Sequence, residues 1–428
     1  MGKSQKVNDV IYDARSLGTP KMLILGIQHM FAMFGATVLV PALTGLDVAT
    51  TLLFAGLGTL LFHFITGRKV PAFLGSSFAF IGGYAAIAPN GDPALLPYAC
   101  FGVAIAGLMY VILAALFKSF GVKKVMRFFP PIVTGPIIIA IGLTLSSSAI
   151  ANCESNWFIA VVAIAVVIGF NMWGKGMAKI VPILLGVLVS YLLAVIIDPA
   201  ARANVASAVS QAKWFGLPIY WNRTVFSLFN GNLDTNLLWT AALTIVPLSL
   251  ATMVEHIGDI CAISSTCERN YMQDPGFNRT LLGDGIGSMC GAFFGGCPNT
   301  TYGESIACVA ITRNASTISI WGAAFLCIIV SFITPLMAFL ETIPSCVMGG
   351  VCVALYGFIA VSGFKMIQNV DLNQNRNLFV SSIIFITGVG GMTVSFGAVE
   401  LRTVACALIL GILANVMLSK EKVEGTKE

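Results

Sequence analysis

Apolar residues in this chain come in blocks of about twenty with no charge inside them, and that pattern restricts the fold more than any other feature. Met22–Leu43, Leu95–Phe117, Ile180–Ile197 and Ile318–Phe339 each run without Asp, Glu, Lys or Arg. Such a block is long enough to cross a bilayer as a helix, and several of them make a polytopic membrane protein. The chain is 57% hydrophobic and only 10% charged, against about 25% charged in soluble proteins, which excludes a soluble domain. Its net charge of +5 is too small and too scattered for a nucleic-acid footprint. Eleven cysteines without a CxxC pair and three dispersed histidines indicate neither a disulfide framework nor a metal site, so no cofactor is expected.

The blocks fall near 22–43, 49–66, 71–88, 95–117, 129–147, 157–173, 177–197, 237–262, 280–296, 297–311, 316–339, 344–363, 377–392 and 398–418, which makes fourteen. Some are short and adjoining, and hydropathy alone also allows twelve. Charge placement favours fourteen. With the N-terminus inside and the sides alternating, the outside segments keep only Arg202, Lys213, Arg223 and Arg402 of the 24 basic residues. Both termini are then cytoplasmic. The longest outside segment, 198–236, reads as a structured loop or short ribbon and divides the chain into halves of seven spans. An odd number forces similar halves into opposite orientations. Gln28-His29 answers Glu255-His256, and Pro71 answers Pro298, both at a separation of 227 residues; Pro131 and Pro344 echo at 213. The expected fold is therefore all-α, with fourteen spans in a 7+7 inverted repeat.

The third and tenth spans break helix rules in the same way. Each opens on a proline followed by small, polar or β-branched residues before turning helical. This predicts a short extended segment leading into a half-helix, beginning near Phe78 and Glu304. Irregular backbone at membrane depth is tolerated only where it is buried in protein or lines a cavity, and paired interruptions mark a transporter's binding site.

Carboxylates in apolar sequence carry the chemistry, because each costs about 2.5–3.5 kcal/mol on insertion scales. Glu255 follows the charge-free run Leu237–Val254, and Asp259 lies one turn on along the same helical face. His256 points about 100° round the helix from Glu255. Glu304 stands at the start of the second half-helix. Asp284 is flanked by glycines that permit close helix contact, and serves as a brace or as part of an ion route. His29, mid-span, reads as bracing a neighbouring helix more readily than as a proton carrier. His63 and Asp47, near span ends, read as interfacial.

Gln28-His-Met-Phe-Ala-Met-Phe-Gly35, Leu74-Gly-Ser-Ser-Phe-Ala-Phe80, Glu255-His-Ile-Gly258 and Pro298-Asn-Thr-Thr-Tyr-Gly-Glu304 together resemble the uracil-permease branch of the nucleobase–cation symporter-2 (nucleobase–ascorbate transporter) family. The resemblance runs from about Lys21 to Leu418. It implies a core domain in two parts (22–128 and 237–342) and a gate domain in two parts (129–236 and 343–418), between tails at 1–21 and 419–428. It also implies homodimerisation through the gates and proton-coupled uracil uptake across the bacterial cytoplasmic (inner) membrane. Carried over by position, Glu255 and Glu304 match substrate-binding carboxylates, Phe78 and Gly303 match positions that bind through backbone N–H, and Tyr302 matches a site-lining residue. Glu255, His256, Asp259, Asp284 and His29 are the candidates for proton coupling or its support. Asp259 and Asp284 depart from the histidine and asparagine that uracil permeases can carry there. Purine and xanthine members usually have an amide where Glu304 stands.

The residues fit the substrate independently. Uracil has two ring N–H donors and two carbonyl acceptors; two carboxylates accept from the former and half-helix N–H groups donate to the latter. Phe78 or Tyr302 can cover the ring face. The alternatives are a purine or xanthine symporter, distinguished at Glu304, and an anion transporter of the same fold, which should place a basic residue at the half-helix ends. A membrane enzyme would need a metal site or nucleophile constellation, and none is visible.

Overall fold

A computed structural model describes residues 10–121, 124, 130–230, 233–301, 303–397 and 399–418. Tyr302 lies outside them. The chain is all-α apart from two short antiparallel strand pairs. Its first half runs α1 (Thr19–Thr44), α2 (Val48–Ile65), β1 (Gly75–Ser76), α3 (Ile81–Ile87), α4 (Leu96–Phe120), α5 (Pro131–Thr144), α6 (Ser146–Cys153), α7 (Trp157–Trp173), α8 (Met177–Ile180) and α9 (Pro182–Ile197). The segment from 198 begins with α10 (Pro199–Gln211), bent by 108° from α9, so its described residues form a helix followed by tight turns rather than a ribbon. The second half runs α11 (Thr235–Ile245), α12 (Leu248–Thr266), α13 (Phe277–Phe293), β2 (Asn299–Thr300), α14 (Gly303–Thr312), α15 (Thr317–Ser331), α16 (Thr334–Glu341), α17 (Ser345–Ile367), α18 (Asn375–Val389), the β3–β4 hairpin (Val394–Phe396, Val399–Leu401) and α19 (Thr403–Leu418).

Six of these stretches are long and apolar enough to cross a membrane by themselves, and further apolar helices are shorter. One of the six, Thr235–Thr266, is broken where Pro247 cannot donate to the helical ladder. Two packing groups are visible. In one, α13 lies against α2 and α4, and α15 against α1 and α2. In the other, α17 packs on α5, α6 and α7, while α18 packs on α5 and α19. Glycines bring backbones together in both groups. A Cβ added to Gly285 would stand 2.7 Å from the Gly107 carbonyl oxygen, and one added to Gly363 would stand 2.6 Å from that of Gly135. Residues 10–16 strap across one end of the first group. Ile11 exchanges backbone bonds with Arg313 and Ala315, Tyr12 donates to the Cys267 carbonyl at 2.8 Å, and Ala14 N–H donates to Ser316 Oγ at 3.0 Å.

The two interrupted spans meet at the centre of the molecule. β1 and β2 pair antiparallel, Gly75 opposite Thr300 and Ser76 opposite Asn299, and Ser77 N–H donates to the Pro298 carbonyl at 3.1 Å. A two-residue ribbon leaves most of its backbone unpaired, and buried backbone groups must find partners. Side chains supply them. Phe73 N–H donates to Ser305 Oγ, Leu74 N–H to Thr59 Oγ1, and Ser288 Oγ–H to the Asn299 carbonyl, at 2.7–3.0 Å. Asn299 Nδ2 reaches the Phe54 carbonyl at 3.0 Å. After the crossing, the first strand leads through a tight turn at Phe78–Phe80 into α3, and beyond the second α14 begins at Gly303. The expected extended segments and half-helices are both present.

Candidate functional site

α12 runs past this crossing and carries three of the candidate residues with different surroundings. His256 is fully enclosed. Its Nδ1 lies 2.8 Å from both Asp284 Oδ2 and Thr301 Oγ1, and its Nε2 lies 2.9 Å from Thr280 Oγ1. Both ring nitrogens thus have hydrogen-bond partners, Nδ1 at Asp284 and Thr301 and Nε2 at Thr280. Asp284 Oδ2 also accepts from the Thr301 backbone N–H at 3.0 Å. His256 and Asp284 therefore bolt α12, α13 and the end of β2 together. One turn earlier, the Tyr110 hydroxyl donates to Thr252 and fixes α12 to α4.

With its neighbours held, Glu255 faces open space. It lines a cavity of about 510 Å³ together with Asp259, Phe78, Gly303 and Glu304. Glu255 is exposed to this cavity, while Asp259 and Glu304 are half-buried. The first N–H groups of the Phe78 turn and of α14 have no partner within their own helices, and both segments border the cavity. The opposite wall is almost all carbon, with Ile138 of α5, Ile183 of α9, and Leu355, Phe358 and Ile359 of α17. At one end the lining residues Ser76, Ile141, Ala251 and Leu355 are buried; at the other, Phe358 and Ser362 are exposed. The cavity is thus closed toward one face and open toward the end where α17 reaches Lys365.

The candidates separate accordingly. Glu255, Glu304, Phe78, Gly303 and Asp259 come together, and His256 and Asp284 stand directly behind them. His29 is buried on α1 and lines neither this cavity nor its neighbour; among the described residues neither ring nitrogen has a hydrogen-bond partner. The expected brace is therefore not a hydrogen bond to any described residue. His63, expected near the membrane interface, packs inside the protein. It is fully buried, with Nε2 2.9 Å from the Ala72 carbonyl and Nδ1 accepting from Trp321 Nε1 at 2.7 Å, so it ties α2 and α15 to the segment entering β1. Asp47 is buried too, capping α2 through Thr50 N–H at 2.7 Å. The α17 wall was not anticipated. Its only signal is helical spacing from Leu355 through Phe358 and Ser362 to Met366, which a lipid-facing stripe shares.

Two interrupted spans crossing at mid-bundle, with acidic side chains at the crossing and an apolar wall opposite, define a membrane transporter. The fold is shared with transporters of other cargo. The structure of SLC26A9 superposes with a TM-score of 0.66 at 11% identity, covering 95% of this chain and 66% of that one. The transmembrane domain of the cyanobacterial bicarbonate transporter BicA gives 0.59 at 14% identity, covering 96% and 100%. At such identities the likeness speaks for the fold alone. The sequence is more specific: residues 20–396 match the model of the Permease family, and the chain belongs to that family. It is 38% identical over 420 residues to the uracil permease of Bacillus caldolyticus, covering 95% of this chain and 94% of that one. It is also 38% identical over 404 residues to the uracil permease of Escherichia coli K12, covering 91% and 89%. These relatives are permeases, and this chain is a multi-pass transporter rather than an enzyme.

Proposed function

We propose that this permease imports uracil with protons across the bacterial cytoplasmic membrane by alternating access. The observation that carries the reading is the convergence of Glu255, Glu304 and two half-helix N-termini on one cavity. Uracil presents N–H donors and carbonyl acceptors along one edge of a small neutral ring. Glu255 and Glu304 accept from the ring N–H groups, the backbone N–H groups at Phe78 and Gly303 donate to the carbonyls, and the apolar wall covers the ring. Tyr302 joins the site by its place in the sequence. Asp259, one turn from Glu255, completes an acidic pair that takes up and releases the coupled proton.

In this reading the chain makes fourteen spans with both termini cytoplasmic. The group holding β1, β2, α12 and α14 is the core; the group built around α5, α17 and α18 is the gate and the surface through which two copies pair. The Lys365 end is cytoplasmic, so the open cavity faces inward. Uptake of labelled uracil in a strain lacking its own uracil transporter tests the assignment, with unlabelled xanthine, hypoxanthine and thymine as competitors. Saturable uptake abolished by uracil and by a protonophore, and untouched by xanthine, is expected. Uptake of xanthine in place of uracil would reassign the substrate to the purines.

A further inference from the structure

A second cavity, of about 270 Å³, shares one wall with the first: Glu304, Ala307, Ile183 and Phe358 line both. Glu304, Ala307 and Ile311 are spaced three and four residues apart, so they form one face of α14 leading from mid-bundle toward Arg313. Across from this face stand Asn171, in the last turn of α7, and Lys179, in α8. Neither side chain hydrogen-bonds or pairs with any described residue. A lysine at a helix end ordinarily runs out to water. Here Lys179, itself exposed, also lines the cavity together with the Asn171 amide and the Glu304 carboxylate.

We propose that this cavity is a second nucleobase subsite, occupied as substrate leaves toward the Arg313 end. The inference rests on the reading of the first cavity as a uracil site. Lys179 offers only donors, the Asn171 amide offers a donor beside an acceptor, and Glu304 offers only acceptors. A pyrimidinedione edge alternates carbonyl and N–H, so one carbonyl meets Lys179 and the adjoining N–H and carbonyl pair with Asn171. The remaining N–H stays on Glu304, which belongs to both cavities and passes the ring from one to the other. The walls at Ala32, Gly35 and Ala36 are small, leaving room for a single ring.

The test compares the two faces of the membrane. The KM for labelled uracil is measured in right-side-out and inside-out vesicles carrying wild-type protein, Asn171→Ala, Lys179→Gln or Lys179→Arg, with folded carrier quantified by gel filtration. Asn171→Ala and Lys179→Gln should each raise the KM from the Arg313 side about tenfold relative to the KM from the opposite side. Lys179→Arg, which keeps the positive charge and the reach that Gln lacks, should recover most of that difference. A residue with a merely structural or topological role would change both faces in parallel, and parallel change or no change overturns the proposal. Absence of uracil transport by the wild-type protein from either face would instead overturn the nucleobase reading, and the subsite with it.

Discussion

Replacing Glu304 by Gln changes one oxygen to an amide nitrogen and leaves the volume of the side chain almost untouched, so the cavity should keep its shape. Glu304 is half-buried and forms no ion pair among the described residues, and the variant should therefore fold as the wild type does. The chemistry of the wall is what changes. A carboxylate accepts at every lone pair, whereas the amide keeps one accepting oxygen and puts two donors in place of the other. A hydrogen bond to a charged group contributes about 1.5–3 kcal/mol, which corresponds to roughly tenfold to over a hundredfold in Kd. Titrating purified protein with labelled uracil in a scintillation proximity assay reads this directly, with thermal stability of the same samples as the folding control. The loss should fall on uracil, while xanthine, which presents a different donor pattern, should lose less or gain. Full uracil affinity in a well-folded Glu304→Gln protein would remove Glu304 from the site and undo the argument.

Other substitutions separate backbone from side-chain roles. An added Cβ at Gly303 meets nothing within 4 Å, so Gly303→Ala should bind uracil nearly as the wild type does, whereas Gly303→Pro, accommodated at a helix start but lacking the N–H, should abolish binding by calorimetry. Phe78→Ala keeps its backbone N–H and should retain part of the binding measured in the same way. Asp284→Ala orphans the buried Thr301 N–H and removes one of the partners of the His256 ring, costing on the order of 1–3 kcal/mol, and should lower the melting temperature in detergent by several degrees. Glu255→Gln cannot titrate; in vesicles with an acidic exterior the wild type should concentrate uracil until a protonophore is added, while the variant should bind without accumulating. Accumulation by Glu255→Gln would move coupling to other groups, with Asp284 the first to test.

The parts legible in the sequence were those that violate its own background. A carboxylate stands out against an apolar run, so Glu255, Asp259, Asp284 and Glu304 were visible before any geometry. A proline followed by small and β-branched residues reads as extended backbone, which located both interrupted spans. What stayed hidden depends on contacts between distant segments. His256 and His63 look alike in sequence, as single imidazoles in apolar helices. Only the fold shows the first tying α12 to α13 and β2, and the second linking α2 to α15. Pro247 was in plain sight, but the apolar residues around it hid the break between α11 and α12. The α17 wall was illegible for a simpler reason: Leu355 and Phe358 facing a cavity have the same composition as residues facing lipid.

Under the proposed function the cavity divides recognition from access, and the division follows from which groups are tied down. Every carboxylate and free backbone N–H named at the cavity belongs to α12, α14 or the Phe78–Phe80 turn after β1, and α12, α14 and the β1–β2 crossing are cross-linked by His256, Asp284, Ser305 and Thr59. The facing wall contributes carbon and the Ser362 hydroxyl. Sliding the wall past the ring therefore breaks few directional bonds, because dispersion contacts are individually weak and re-form at each position. Moving the polar side instead would strip hydrogen bonds from buried backbone, a far larger penalty. In a two-body carrier, the polar elements should thus travel together with the substrate as one unit while the apolar wall changes which end of the cavity is open. The same logic explains why a fold shared with a bicarbonate transporter can carry other cargo. Under the proposed function the wall is generic, and the choice of substrate lies in a few polar groups at the tips of two half-helices.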